Sequence, residues 1–181
     1  IKPHTHVASA CQRPEAARVI EEVCRQQDCV CRTVDPDRIT DAKYDILRQT
    51  FSYKDWKDVE IRLAGSYQLQ NAALALEAVE ALRELGYALS DEQVRRGLRD
   101  TRWRGRFTLL RSDPAVVLDG AHNPGAAEEL RRSQELYFPG KKLYFVQGMF
   151  RDKDYRQVIA LTAPLAEHII TVETPNNPRA L

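Results

Sequence analysis

Two side chains able to bind a polar ligand share one turn: Asp119 and His122, in Asp119-Gly120-Ala121-His122-Asn123-Pro124. The turn follows an apolar run, Ala115-Val116-Val117-Leu118, and opens what reads as a helix. Asn123 can cap a first helical turn, and Pro124 gives up an N–H that such a turn leaves unpaired. A carboxylate and an imidazole at the carboxyl end of a strand, beside a helix N-terminus, stand where open α/β sheets gather ligand groups. The carboxylate suits hydroxyl donors, and the imidazole suits a polar contact rather than metal ligation. Taken alone, an Asp-Gly at such a place is as often a capped turn. Three further segments bring groups of other kinds. Gln68-Leu69-Gln70-Asn71-Ala72-Ala73 carries the amide of Asn71, Trp103-Arg104-Gly105-Arg106 a guanidinium beside a glycine, and Gly148-Met149-Phe150-Arg151-Asp152-Lys153-Asp154 an ammonium. A guanidinium's planar fork can grip phosphate oxygens in pairs. Each has a plainer reading: an exposed polar position for Asn71, a solvated face for Asp152-Lys153-Asp154, and for Arg106 one more arginine of the cluster between Arg99 and Arg111.

The elements that must position these groups fall into two blocks. In the first, Val7 to Ala10 reads as a strand, Pro14 opens a helix with Ala17, Ile20, Val23 and Cys24 on one side, and Cys29 to Val34 reads as a second strand, which makes a β-α-β unit. Asp35-Pro36-Asp37 breaks it, and Val59-Ile61-Leu63 alternates like a half-buried strand. Leu69, Ala72, Ala73, Leu76, Val79 and Leu82 recur at helical spacing, with Gly86 placed to end the helix. Ser90-Asp91-Glu92-Gln93 is a capping-box pattern, which predicts a short helix from Asp91 to about Leu98. A boundary is expected near Thr101. The second block alternates strand and helix: Ala115 to Leu118, Pro124 to Tyr137, Leu143 to Val146, Tyr155 to Ala166 and Ile169 to Val172. Such alternation predicts one parallel sheet with right-handed crossovers, with Asp119, Gln147-Gly148 and Glu173 on one edge. The fold class is α/β.

Composition excludes several partners. With 27 basic against 26 acidic residues, and a net charge of +1, no global field draws nucleic acid or an anionic membrane. No apolar run approaches the roughly 20 residues that span a bilayer, and Ile1-Lys2-Pro3-His4 is no secretory signal, so a cytoplasmic location is expected. Cys11, Cys24, Cys29 and Cys31 lack the spacing of a zinc site and read as buried free thiols. No Gly-x-x-x-x-Gly-Lys-Ser/Thr occurs, and Gly140-Lys141-Lys142 lacks both its glycine spacing and its hydroxyl.

The order and spacing of the four motifs resemble the folylpolyglutamate synthase and dihydrofolate synthase family, relatives of the muramyl-peptide ligases. Ile1-Lys2-Pro3 looks like that family's Ile-Lys-Pro-Gly segment, and Pro178-Arg179-Ala180 extends the likeness to nearly the whole chain. Two departures are Tyr67, where the family usually has His, and Arg104, where it usually has Pro. The resemblance implies a two-part organisation. Residues 1–101 would be the carboxy-terminal part of a central P-loop-type ATPase domain, and residues 102–181 most of a Rossmann-like carboxy-terminal ligase domain with a mostly parallel sheet, both incomplete. It also implies that the phosphate loop, the magnesium ligands and most of the pteridine site belong to a region preceding Ile1.

The implied chemistry is ATP-dependent amide formation. ATP converts a carboxylate of a folate or dihydropteroate into an acyl phosphate, and the amine of L-glutamate attacks it, with the protein contributing positioning, charge neutralisation and exclusion of water. Residue by residue, the resemblance implies nucleotide contacts for Asn71, Arg106 and Asp119, Arg106 reaching the ATP phosphates. It implies a polar, catalytic contact to phosphate or glutamate for His122, and a grip on the carboxylate of the incoming glutamate for Lys153. ATP and Mg2+ are the expected cofactors, with no metal ligand in this chain, and a monomer is expected for the complete enzyme. Two alternatives stand beside this reading. One is a muramyl-peptide ligase, which Gly120 disfavours because those enzymes usually carry Tyr there; the other is a Rossmann-like interaction module without ATP chemistry.

Overall fold

The structure is a computed structural model that describes residues 1–179, so Ala180 of the Pro178-Arg179-Ala180 segment lies outside the described residues. The chain divides into two compact units, one of residues 1–63 and 67–102, the other of residues 64–66 and the chain from Trp103 on.

In the first unit, β1 (His6–Ser9) and β2 (Val30–Thr33) pair in parallel around α1 (Pro14–Gln26), which starts with proline at its first turn. An antiparallel sheet of β3 (Ile39–Tyr44), β4 (Gln49–Tyr53) and β5 (Trp56–Ile61) follows. Only the last of these was legible as an alternating run, and it begins earlier than Val59 and ends before Leu63. β3 is exposed along most of its length and polar, while β4 buries Gln49 and Ser52 beside Phe51 and Tyr53, so neither alternates. α2 (Gln68–Glu84) lays Leu69, Ala72, Ala73 and Leu76 against Val34, Phe51, Tyr53, Trp56, Val59 and Ile61. Removing such apolar side chains from water contributes about 1.5–3 kcal/mol each for the larger ones. Gly86, at φ +91°, ends the helix by donating to Arg83 O, and Tyr87 N reaches back to Leu82 O. The core stripe departs from expectation at its far end. Leu82 is exposed and Val79 half-buried, while Glu77 is buried in their place. α3 (Asp91–Asp100) carries both bonds of the capping box, Gln93 N to Ser90 Oγ at 3.2 Å and Ser90 N to Gln93 Oε1 at 2.9 Å, and runs past Leu98. The four cysteines are free, but Cys24 alone is buried and Cys11 is exposed, which corrects the reading of all four as buried.

In the second unit, β6 (Thr108–Ser112) and β7 (Ala115–Leu118) form an antiparallel hairpin, whereas β8 (Leu143–Gln147) and β9 (Ala166–Thr171) pair in parallel around α5 (Tyr155–Thr162). α4 (Pro124–Tyr137) has the expected bounds. The α/β class holds, with one change of topology. Among the described residues β7 takes β6 as its partner rather than β8, so Asp119 ends a hairpin strand instead of sharing one sheet edge with Gln147 and Glu173. Thr108–Ser112 follows the Arg106 motif directly and folds back on β7, a pairing that a strand–helix alternation does not encode. α5 also stops before Ala166, because Pro164 falls in a short 3-10 turn at Ala163–Leu165.

Candidate functional site

The turn after β7 is built as its residues dictate. Asn123 Oδ1 accepts from Ala126 N at 2.9 Å, and Pro124 takes the first helical position, so α4 starts where the hexapeptide ends. Asp119, half-buried, accepts from Ala121 N through Oδ1 and from Phe107 N through Oδ2, both at 2.7 Å. His122 is exposed, and its Nδ1 lies 2.9 Å from Gly120 O. A carbonyl can only accept, so Nδ1 donates, and in a neutral ring Nε2 would then be left as an acceptor.

His122 and Lys153 line one pocket of about 370 Å3 together with Gly148, Phe150, Thr174 and Arg179. Lys153 Nζ stands 3.6 Å from Asp152 Oδ2, and Arg179 Nη1 stands 3.8 Å from the same oxygen. Two cations thus share one carboxylate, which leaves the pocket with an excess positive charge suited to an anion. The Arg179 guanidinium lies 4.6 Å from the centroid of the Phe150 ring, and its backbone carbonyl accepts from Arg151 N at 2.9 Å, which fixes the end of this segment against the loop after β8. The loop can approach because position 148 is glycine. A Cβ built there would lie 2.7 Å from Val172 O. A larger hollow of about 750 Å3 runs along α1 and is lined by that helix alone, with no convergence of groups from other elements.

Arg106 is exposed and lies in the second unit, between Gly105 and the fully buried Phe107. Asn71 lies in the first unit, on α2, where it is exposed and its Nδ2 donates to Gln68 Oε1 at 3.1 Å. The structure therefore brings His122 and Lys153 into one pocket, links Asp119 to the residue after Arg106, and places Asn71 in the other unit. Arg179 and Phe150 were missed as pocket residues. Both stood in segments already singled out, Pro178-Arg179 and Met149-Phe150, but nothing in their spacing tied a position near the end of the described chain to the loop after β8. Among the described residues no group of three or more His, Cys, Asp or Glu side chains could hold a metal ion.

Residues 105–181 match the family model described as Mur ligase, glutamate ligase domain. A dihydrofolate synthase/folylpolyglutamate synthase of Bacillus subtilis is 31% identical over 186 residues, covering 99% of this chain and 43% of that protein. The folylpolyglutamate synthase of Lacticaseibacillus casei is 29% identical over 138 residues, covering 74% of this chain and 32% of that protein. Among solved structures, Mycobacterium tuberculosis folylpolyglutamate synthase complexed with ADP superposes with a TM-score of 0.83 at 27% identity, over 94% of this chain and 39% of that one. A folylpolyglutamate synthase–AMPPCP–folate complex gives 0.85 at 26% identity, over 95% of this chain and 44% of that one. The chain spans less than half the length of these relatives.

Proposed function

Because this chain belongs to the folylpolyglutamate synthase and dihydrofolate synthase family, within the Mur ligase superfamily, we propose that its protein joins L-glutamate to a folate, or to dihydropteroate, by ATP-dependent ligation. In that reaction the carboxylate takes the terminal phosphoryl group of ATP, and the glutamate amine then displaces phosphate from the acyl phosphate to form the amide. The observation that carries the reading is the pocket in which Lys153, Arg179 and His122 converge, inside the residues that match the glutamate ligase domain.

The residues divide the work by chemistry. The Lys153 ammonium pairs with a carboxylate of incoming glutamate, Arg179 supplies a second cation, and the Nε2 acceptor of His122 suits a proton on the attacking amine. Arg106 takes ATP phosphate oxygens through its fork. Asp119 has spent one lone pair of each oxygen on a backbone N–H and keeps others for a ribose hydroxyl. Asn71 is the nucleotide contact of the first unit. Residues 1–101 correspond in this proposal to the later part of the ATPase domain and residues 102–181 to the ligase domain, in a cytoplasmic monomer. No helix among the described residues is long and apolar enough to cross a membrane.

The test is Lys153→Ala in the full-length protein, assayed by steady-state kinetics. The KM for glutamate should rise while that for ATP stays nearly constant, and the lost charge-assisted pair, on the order of 2 kcal/mol, should cost tens of fold in kcat/KM for glutamate. An unchanged KM for glutamate returns Lys153 to a solvated face and removes the proposed glutamate site.

A further inference from the structure

We propose that Asp119 is the latch of the Arg106 loop, a positioning residue that acts on the nucleotide through Arg106. The inference rests on the reading of Arg106 as a phosphate contact and adds to the ribose role given to Asp119 above.

Arg106 is held from both sides by the turn that follows β7. Asp119 Oδ2 accepts from Phe107 N at 2.7 Å, and Gly120 N donates to Gly105 O at 2.9 Å, so the two residues flanking Arg106 are bonded to two consecutive residues of that turn. The other carboxylate oxygen, on Ala121 N at 2.7 Å, anchors the latch to the turn carrying His122. The loop needs holding. Gly105 stands at φ +80° and Phe107 at φ +43°, so Arg106 lies between two left-handed residues, and a bulky aromatic in that region is strained. Such a conformation persists only where its surroundings over-determine it. Here the Phe107 ring is buried, 5.4 Å from that of Tyr137 and 6.5 Å from that of Phe138, while its N–H is held by a charged acceptor. The fit is close on the partner side too, since a Cβ added at Gly120 would lie 3.2 Å from Gly105 O. An asparagine at 119 keeps one acceptor oxygen and turns an NH2 toward the second backbone N–H, so Asp119→Asn breaks the latch with almost no change in size.

The experiment uses the full-length protein and its ATP-dependent glutamate addition, with Asp119→Asn, Arg106→Ala and the double variant. The latch predicts that Asp119→Asn lowers kcat/KM for ATP by about 10- to 100-fold, the scale set by displacing a positioned group by about 1 Å. It predicts that much of this loss persists with 2′-deoxy-ATP and 3′-deoxy-ATP, and that the double variant loses much less than the sum of the two single losses. Additive losses in the double variant, or a penalty that disappears with the deoxy nucleotides, overturn it in favour of a direct ribose contact alone. Hydrogen exchange separates this failure from that of the phosphate reading. Asp119→Asn should speed exchange at the Phe107 and Ala121 amides by about tenfold or more whatever Arg106 contacts, and unchanged exchange overturns the latch itself. Should Asp119→Asn not fold, Gly120→Ala crowds the same junction while leaving the carboxylate in place, and the same kinetic and exchange outcomes decide.

Discussion

Arg106 and Lys153 both carry one positive charge, yet the roles proposed for them use it differently. Lys153, in a pocket beside a second cation, would need only to be an ammonium near an anion. Arg106, on a bracketed loop, would present a fork whose orientation matters. Arg106→Lys in the full-length protein should therefore lower kcat/KM for ATP by about tenfold or more, roughly 1.4 kcal/mol, although the charge is kept. Steady-state kinetics indistinguishable from the unsubstituted protein would show that charge alone is used there. At this scale the sequence disclosed residue types and the turn that holds Asp119 and His122. It did not disclose what the Asp119 carboxylate touches. One of its partners is the N–H of Phe107, twelve residues earlier, and a backbone donor leaves no mark in residue identity. Arg179 stayed hidden for the same reason: its place beside Lys153 follows from the carbonyl bond to Arg151 N and from the ring of Phe150, not from spacing.

Among the elements, α2 departs most instructively from its pattern. Its apolar stripe correctly marks the face that packs on β4 and β5, but the stripe is interrupted by Glu77, which is 2% exposed. Tyr53 Oη donates to Glu77 Oε1 at 2.6 Å, Lys54 Nζ donates to the same oxygen, and Arg32 Nη1 lies 3.5 Å from Oε2. Burial pushes this carboxyl up, but the hydrogen bonds from Lys54 and Tyr53 and the charges of Lys54 and Arg32 outweigh it and hold the group below its ordinary range. Its contribution to stability is thus complete above about pH 4.5, the ordinary value, and is lost as pH falls toward the lower folded value. Tyr53 bears the opposite sign. Burial, reinforced by the bond to Glu77, pushes its phenol up from 10.0 to about 12, so that stabilisation is present below pH 10.0 and lost as pH rises to about 12. Glu77→Gln should cost about 2 kcal/mol near neutral pH, since Lys54 and Tyr53 lose a charged acceptor while Arg32 keeps Glu84, and should flatten the acid limb. Urea midpoints measured across pH check both; an unshifted midpoint at neutral pH would remove Glu77 from the account. Elements with strong local signals, α3 with its capping box and α4 with its Asn-Pro start, were legible almost to the residue. β3 and β4 were not, because one is polar and exposed and the other buries polar side chains.

At the scale of the whole molecule, the two units bury their apolar residues unequally. Among the described residues, the buried apolar side chains of the second unit are only Ala64, Phe107, Ala127 and Val158, while the first holds the cluster from Val34 to Leu76. Hydrogen exchange should therefore be slowest in β4, β5 and α2 and markedly faster in β8 and β9, whose Tyr144, Val146 and Ile170 are exposed. Equal protection in both sets would contradict this ordering. The α/β class and the strand–helix alternation of the second unit could be read from periodicity, but the choice of β6 as the partner of β7 could not, since pairing depends on long-range geometry that a local pattern does not carry. The glycine at the end of β8 also limits how this pocket can change. With the Val172 carbonyl 2.7 Å from where a Cβ at 148 would stand, that position has an alphabet of one letter, and any reshaping of the pocket falls to neighbouring wall positions such as Met149, Phe150 and Thr174.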